Sequence, residues 1–244
     1  LFTATNFSIS LISREACNNS RHCLISSAGS APYFFSNFWM TESLRSMAVR
    51  AAIDLSDSVI QKFEQKYGSE PADDVRQWRD LLESSRGLEE MEKLVAVNNF
   101  FNRKIKFVDD IIHWQQKDYW ATPFEFIGTG AGDCEDFSIA KYFSLLELGI
   151  PDDKLRMTYV KALVYNQAHM VVTYFSEPGA IPLVLDNINP AIEPADKRKD
   201  LLPVYSFNGA GLWLAKERGL GKKAGSADRI SLWTDLNNKM VAGL

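Results

Sequence analysis

The sequence predicts an α+β protein in which helices come first and an antiparallel sheet follows. Apolar residues recur at helical spacing through residues 41–116, and beyond Pro151 the period changes to that of strands. The connections between those strands are short, which favours antiparallel pairing. Segregation of the two classes of element argues for α+β rather than alternating βα units.

Three helical segments come first. "SLRSMAVRAAIDLSDSVIQKFEQKYG" ends at Gly68. "PADDVRQWRDLLESSRG" opens with Pro71 and acidic residues, sets Val75, Trp78, Leu81 and Leu82 on one face, and stops at Gly87. "LEEMEKLVAVNNFFNRKI" repeats the pattern. Residues 117–132, with Pro123 and glycines at 128, 130 and 132, read as a loop. A helix over 134–148 follows, closed by Gly149. Strands are expected at 155–165, 168–176 and 181–188, with turns at 166–167 and 177–180 and a further strand or edge at 204–215. The last thirty residues give no clear signal.

A chain of 244 residues suffices for one sizeable core. The expected division is an irregular Ser/Asn-rich extension over 1–39 and a single domain over 40–244, with a helical part at 41–116 and a core at 117–215. A net charge of -4 without a basic stripe argues against nucleic acid as the main partner. "DKRKD", residues 196–200, reads as a solvated loop. No apolar run approaches the roughly 18 residues that span a membrane. Residues 1–39 lack the basic start and continuous apolar centre of a secretory leader. Cys17 and Cys23 match no metal spacing, and their pairing depends on the compartment.

Cys134 carries the chemistry. It follows a glycine-rich turn at the start of a helix, where a thiol becomes more acidic. His169 is expected near the start of one strand and Asp186 near the end of the next. In a hairpin those positions are neighbours, and a helix packed on the sheet would bring Cys134 to them. That is a nucleophile, a base and a group that orients the base. Neutral Asn187 is the runner-up orienter. His22 lies in the extension, and His113 reads as a surface or packing residue.

Asp133, Glu135 and Asp136 flank the thiol. Helix capping explains one or two acidic residues there. Three would disfavour a thiolate unless a divalent cation cancelled their charge, and carboxylate oxygens suit Ca²⁺. Capping and cation binding both stand as readings of these residues.

"DYWATPFEFIGTGAGDCEDFSIAKYFSLLELGIP", "AHMVVTYF" and "PLVLDNI" closely resemble the bacterial transglutaminase-like cysteine proteases of the LapG type, over roughly residues 45–215. The resemblance implies a papain-like, transglutaminase-like fold and a Cys-His-Asp triad at Cys134, His169 and Asp186. It implies calcium dependence, with Asp133, Glu135 and Asp136 as ligands. It also implies a periplasmic endopeptidase that clips the N-terminal region of a large repeat-containing surface adhesin, so releasing cells from a biofilm. An inner-membrane cyclic di-GMP receptor would be its inhibitory partner. The same triad also suits acyl transfer to an amine, and a non-catalytic calcium- or partner-binding module is the competing reading from another class. Trp114, Trp120 and Trp213 are expected either in a partner surface or in the core.

Overall fold

The computed structural model describes residues 53–214 and 221–243. The extension, with Cys17, His22 and Cys23, and the start of the first expected helix lie outside the described residues.

Helix α1 (Asp57–Tyr67) ends at Gly68, whose φ of 95° suits a residue without a side chain. Helices α2 (Ser69–Ser85) and α3 (Glu90–Lys104) follow; Glu89 and Glu92 form a reciprocal cap at the start of α3. Their apolar faces bury Phe63, Val75, Trp78, Leu94 and Phe101. The Trp78 indole donates to Ser144 Oγ at 2.9 Å, which fixes α2 against the helix that carries Cys134.

Segment 117–132 is not wholly loop. It holds helix α5 (Pro123–Thr129) and a two-residue strand β2 (Ala131–Gly132). Pro123 starts that helix rather than breaking it, because a first-turn amide has no helical acceptor to lose. Thr122 and Glu125 cap the start, and Gly130 ends the helix in the left-handed region at φ 67°. Strand β2 pairs in parallel with β1 (Lys106–Phe107), which leads into the single turn α4 (Asp110–His113).

Helix α6 (Cys134–Glu147) is buried along nearly its whole length, between the helical layer and the sheet. The sheet contains β3 (Leu155–Ala162), β4 (Gln167–Tyr174), β5 (Leu183–Leu185), β6 (Glu193–Pro194), β7 (Leu201–Asn208), β8 (Gly211–Leu214) and β9 (Lys222–Gly225). Its order is β6-β5-β4-β3-β7-β8-β9, and every pairing is antiparallel. The expected strand at 204–215 is a hairpin, β7–β8, and β7 lies beside β3 well inside the sheet. The chain end adds helix α7 (Ser231–Ala242), whose Trp233 stacks on Phe143 with ring centres 5.9 Å apart. Trp120 is buried and stacked on Phe207, so it belongs to the core. Trp114 and Trp213 are half-buried.

Candidate active site

The start of α6 is set by its own acidic residues. Asp133 is the N-cap: its carboxylate accepts from the Glu135 amide at 3.1 Å. Asp136 Oδ2 in turn accepts from the Asp133 amide at 3.3 Å, closing a capping box. Cys134 is the first helical residue, and its thiol donates to Glu135 Oε2 at 2.7 Å. Burial above all, then the charges of Glu135 and Asp133, push the thiol well above its ordinary value; the Met170 backbone amide opposes them.

Met170 follows His169 in β4, so the amide that opposes the shift belongs to the imidazole's own strand. His169 Nε2 lies 2.8 Å from Asp186 Oδ1, and both side chains are sealed from solvent. Asp186 stands one residue past β5, which pairs with β4, and this places it beside the start of β4. Burial alone would raise the Asp186 carboxyl. Hydrogen bonds from His169, the Ile188 amide and Arg198 outweigh it and hold the group well below the usual carboxylate range. An ionised Asp186 can only accept, so the imidazole donates to it through Nε2, and Nδ1 lies on the other side of the ring. Among the described residues no hydrogen bond joins Cys134 to His169; the thiol is turned toward Glu135. Asn187 takes no part in the imidazole contact, and its Oδ1 is buried without a partner among the described residues.

Acidic oxygens converge beside the thiol. Ligand atoms of Asp110, Asp133 and Asp136 lie within 4.8 Å of one another, and so do those of Asp133, Cys134 and Glu135. Parallel β1–β2 pairing brings Asp110 there, with the Val108 amide donating to the Gly132 carbonyl at 2.9 Å. Asp110 Oδ2 accepts from the Tyr119 amide, while Oδ1 is buried with no partner among the described residues. Burial and neighbouring negative charge push Asp110 up to about 6 and raise Asp133 and Asp136 as well.

The model of the bacterial transglutaminase-like cysteine proteinases, BTLCP, matches residues 61–207. The chain belongs to this family. Legionella pneumophila LapG is 41% identical, and the match covers 74% of this chain and 95% of that one with a TM-score of 0.66. Its calcium-bound form is 42% identical over 74% of this chain and 97% of that one, again with a TM-score of 0.66. An EGTA-treated form matches equally well, at 42% identity and a TM-score of 0.66. No curated protein matches the chain. As a transglutaminase-like cysteine proteinase, the chain is an enzyme that acts on protein, and no helix among the described residues is long and apolar enough to cross a membrane.

Two residues that meet the candidate site residues were not marked by the sequence. Asp110 lies 23 residues before Asp133, and only the β1–β2 pairing joins them. Arg198 lies in "DKRKD", which is not the uniformly solvated loop expected: Lys197 and Lys199 are exposed, but Arg198 is only 4% exposed and donates through Nη2 to Asp186 Oδ2 at 2.7 Å. No feature of either segment distinguishes these residues from ordinary surface charge. His113 is half-buried with its ring edge-on to Trp114, which fits packing, one of the two roles the sequence left open.

Proposed function

We propose that the protein is a calcium-dependent cysteine endopeptidase with Cys134 as nucleophile, His169 as general base and acid, and Asp186 as orienter. The single observation carrying this reading is the buried His169–Asp186 hydrogen bond, formed one residue from Met170, whose amide acts on the Cys134 thiol. His169 Nδ1 takes the thiol proton, and the sulfur attacks the carbonyl carbon of the scissile peptide bond. The same nitrogen then gives the proton to the leaving amine, and water resolves the acyl-enzyme. Glu135 and Asp136 amides are engaged by the Asp133 cap, so the first-turn amide of Cys134 is the one left to meet the oxyanion.

The residues beside the thiol fit a calcium ion. The donors are hard oxygens, one of them a buried Asp110 oxygen with no partner among the described residues, and burial first, then neighbouring negative charge, raises the carboxyls. Asp110, Asp133 and Asp136, with Glu135 beside them, would hold the ion. When bound, it supplies positive charge that offsets the carboxylates next to the thiol.

The proposed substrate is the N-terminal region of a large repeat-containing surface adhesin, cleaved in the periplasm so that cells leave a biofilm. An inner-membrane cyclic di-GMP receptor is the proposed inhibitor. Kinship with LapG supports this reading. The test is a gel-based cleavage assay on that adhesin fragment, with wild type and Cys134→Ala, in calcium and in chelator. One clip that needs both Cys134 and calcium is expected. Cleavage by pure Cys134→Ala protein would remove the nucleophile assignment, and cross-linked rather than clipped product would favour acyl transfer to an amine.

A further inference from the structure

We infer that Arg198, braced by Asp200, is the positioning residue that holds Asp186 against His169; the inference rests on the triad reading above. The geometry is a relay of fixed groups. Arg198 Nε donates to Asp200 Oδ1 at 3.0 Å, and Nη2 donates to Asp200 Oδ2 at 2.7 Å. This fork-on-fork pairing sets the plane of the guanidinium. The same Nη2 reaches Asp186 Oδ2 at 2.7 Å. Asp186 Oδ1 then faces the imidazole at 2.8 Å and the Ile188 amide at 2.9 Å.

Asp186 stands just past the end of a three-residue strand, so its backbone alone does not fix its carboxylate plane. Two oxygens pinned from opposite sides do. The orientation of Asp186 sets that of the imidazole, and hence whether Nδ1 can reach the thiol. Lysine could not substitute, because a point charge lacks the two-donor edge that Asp200 grips.

Arg198 also helps to wall a cavity of about 230 Å³, whose other lining includes Val160, Val171, Val184 and Leu201. Truncating the side chain would extend that cavity toward Asp186, leaving room for a small guanidinium from solution.

The experiment follows the alkylation rate of Cys134 by iodoacetamide at neutral pH, with calcium present. Peptide mapping separates Cys134 from Cys17 and Cys23. The rate reads formation of the thiolate–imidazolium pair and needs no peptide substrate. The rate should fall about tenfold or more in Arg198→Ala, as expected for loss of a charge-assisted hydrogen bond. It should recover in part with millimolar methylguanidinium and stay low in Arg198→Lys. Asp186→Ala should fall at least as far and should not respond to methylguanidinium. If Asp186→Ala is slow while folded Arg198→Ala reacts like wild type, the positioning role is overturned and the triad stands. If Asp186→Ala also reacts like wild type, the triad reading falls and takes this inference with it. Should Arg198→Ala fail to fold, Asp200→Asn decides: a reduced rate supports the brace, and an unchanged rate in folded protein overturns it.

Discussion

His169 and Asp186 face each other 2.8 Å apart in a site closed to solvent, and every group around the Asp186 carboxylate is a donor. Oδ1 meets the imidazole and the Ile188 amide, and Oδ2 meets Arg198. In Asp186→Asn, either orientation of the amide would set its NH₂ against a donor. The variant therefore loses more than charge: it tilts the imidazole or forces the other tautomer. Its kcat on a cleavable protein substrate should fall about 10²-fold or more, with KM little changed. A loss confined to KM would mean that Asp186 shapes the binding groove instead.

The second prediction concerns Asp110. Its unpartnered Oδ1 and its proximity to Asp133 and Asp136 make it part of the proposed cation site. Asp110→Asn keeps the shape and removes one negative charge. Calcium affinity by titration calorimetry should drop about tenfold or more, because charge count tunes such sites. Unchanged affinity would confine the ion to the Asp133–Asp136 segment.

How legible the site was depends on what joins its residues. Asp133, Cys134, Glu135 and Asp136 are consecutive, so cap, proposed nucleophile and acidic cluster all showed in one short segment. His169 and Asp186 followed from one hairpin, since strand period and short turns place the start of β4 beside the end of β5. Asp110 and Arg198 reach the site through two-residue pairing at β1–β2 and through the loop between β6 and β7. Neither contact has a periodic signal. The fold divides in the same way: long amphipathic helices and alternating strands declared themselves, whereas α5 was hidden by a proline that also marks loops. Helix α7 had no such cue, although its Trp233 and Leu236 are buried in the core.

Lys141 supplies the third prediction. It sits in α6 at 1% exposure, and burial pushes its ammonium down to about 7 against the attraction of Asp186. The unfolded chain holds that proton up to about 10.5. Between those values the unfolded state binds more protons, so this residue makes stability rise with pH from about 7 to 10.5 and leaves it lower below 7. Lys141→Met should abolish that rise and be more stable than the parent at pH 6, by about 1–4 kcal/mol. Urea unfolding at pH 6 and pH 9 checks both signs. A parent with no pH slope over that interval would mean that the ammonium keeps its ordinary affinity for the proton.

The fourth prediction tests how tightly the acidic cluster is tied to the core. Gly132 pairs with Phe107, and a Cβ there would meet the Phe126 ring carbons at 2.7 Å and Asp136 Oδ2 closer still. Its φ is not in the left-handed region, so space and not backbone strain demands glycine. The backbone cannot retreat easily, because Val108 bonds to the Gly132 carbonyl. Phe126 cannot retreat either, since it is fully buried and edge-on to Phe137 with centres 4.9 Å apart. In Gly132→Ala the Asp136 carboxylate is the softer neighbour, and it should swing out of the cluster. The variant should lose about 1–3 kcal/mol in urea unfolding and bind calcium more weakly than the parent. If stability falls while calcium affinity holds, Phe126 has given way instead and Asp136 is anchored by the Ala121 amide, which donates to its Oδ1 at 2.8 Å.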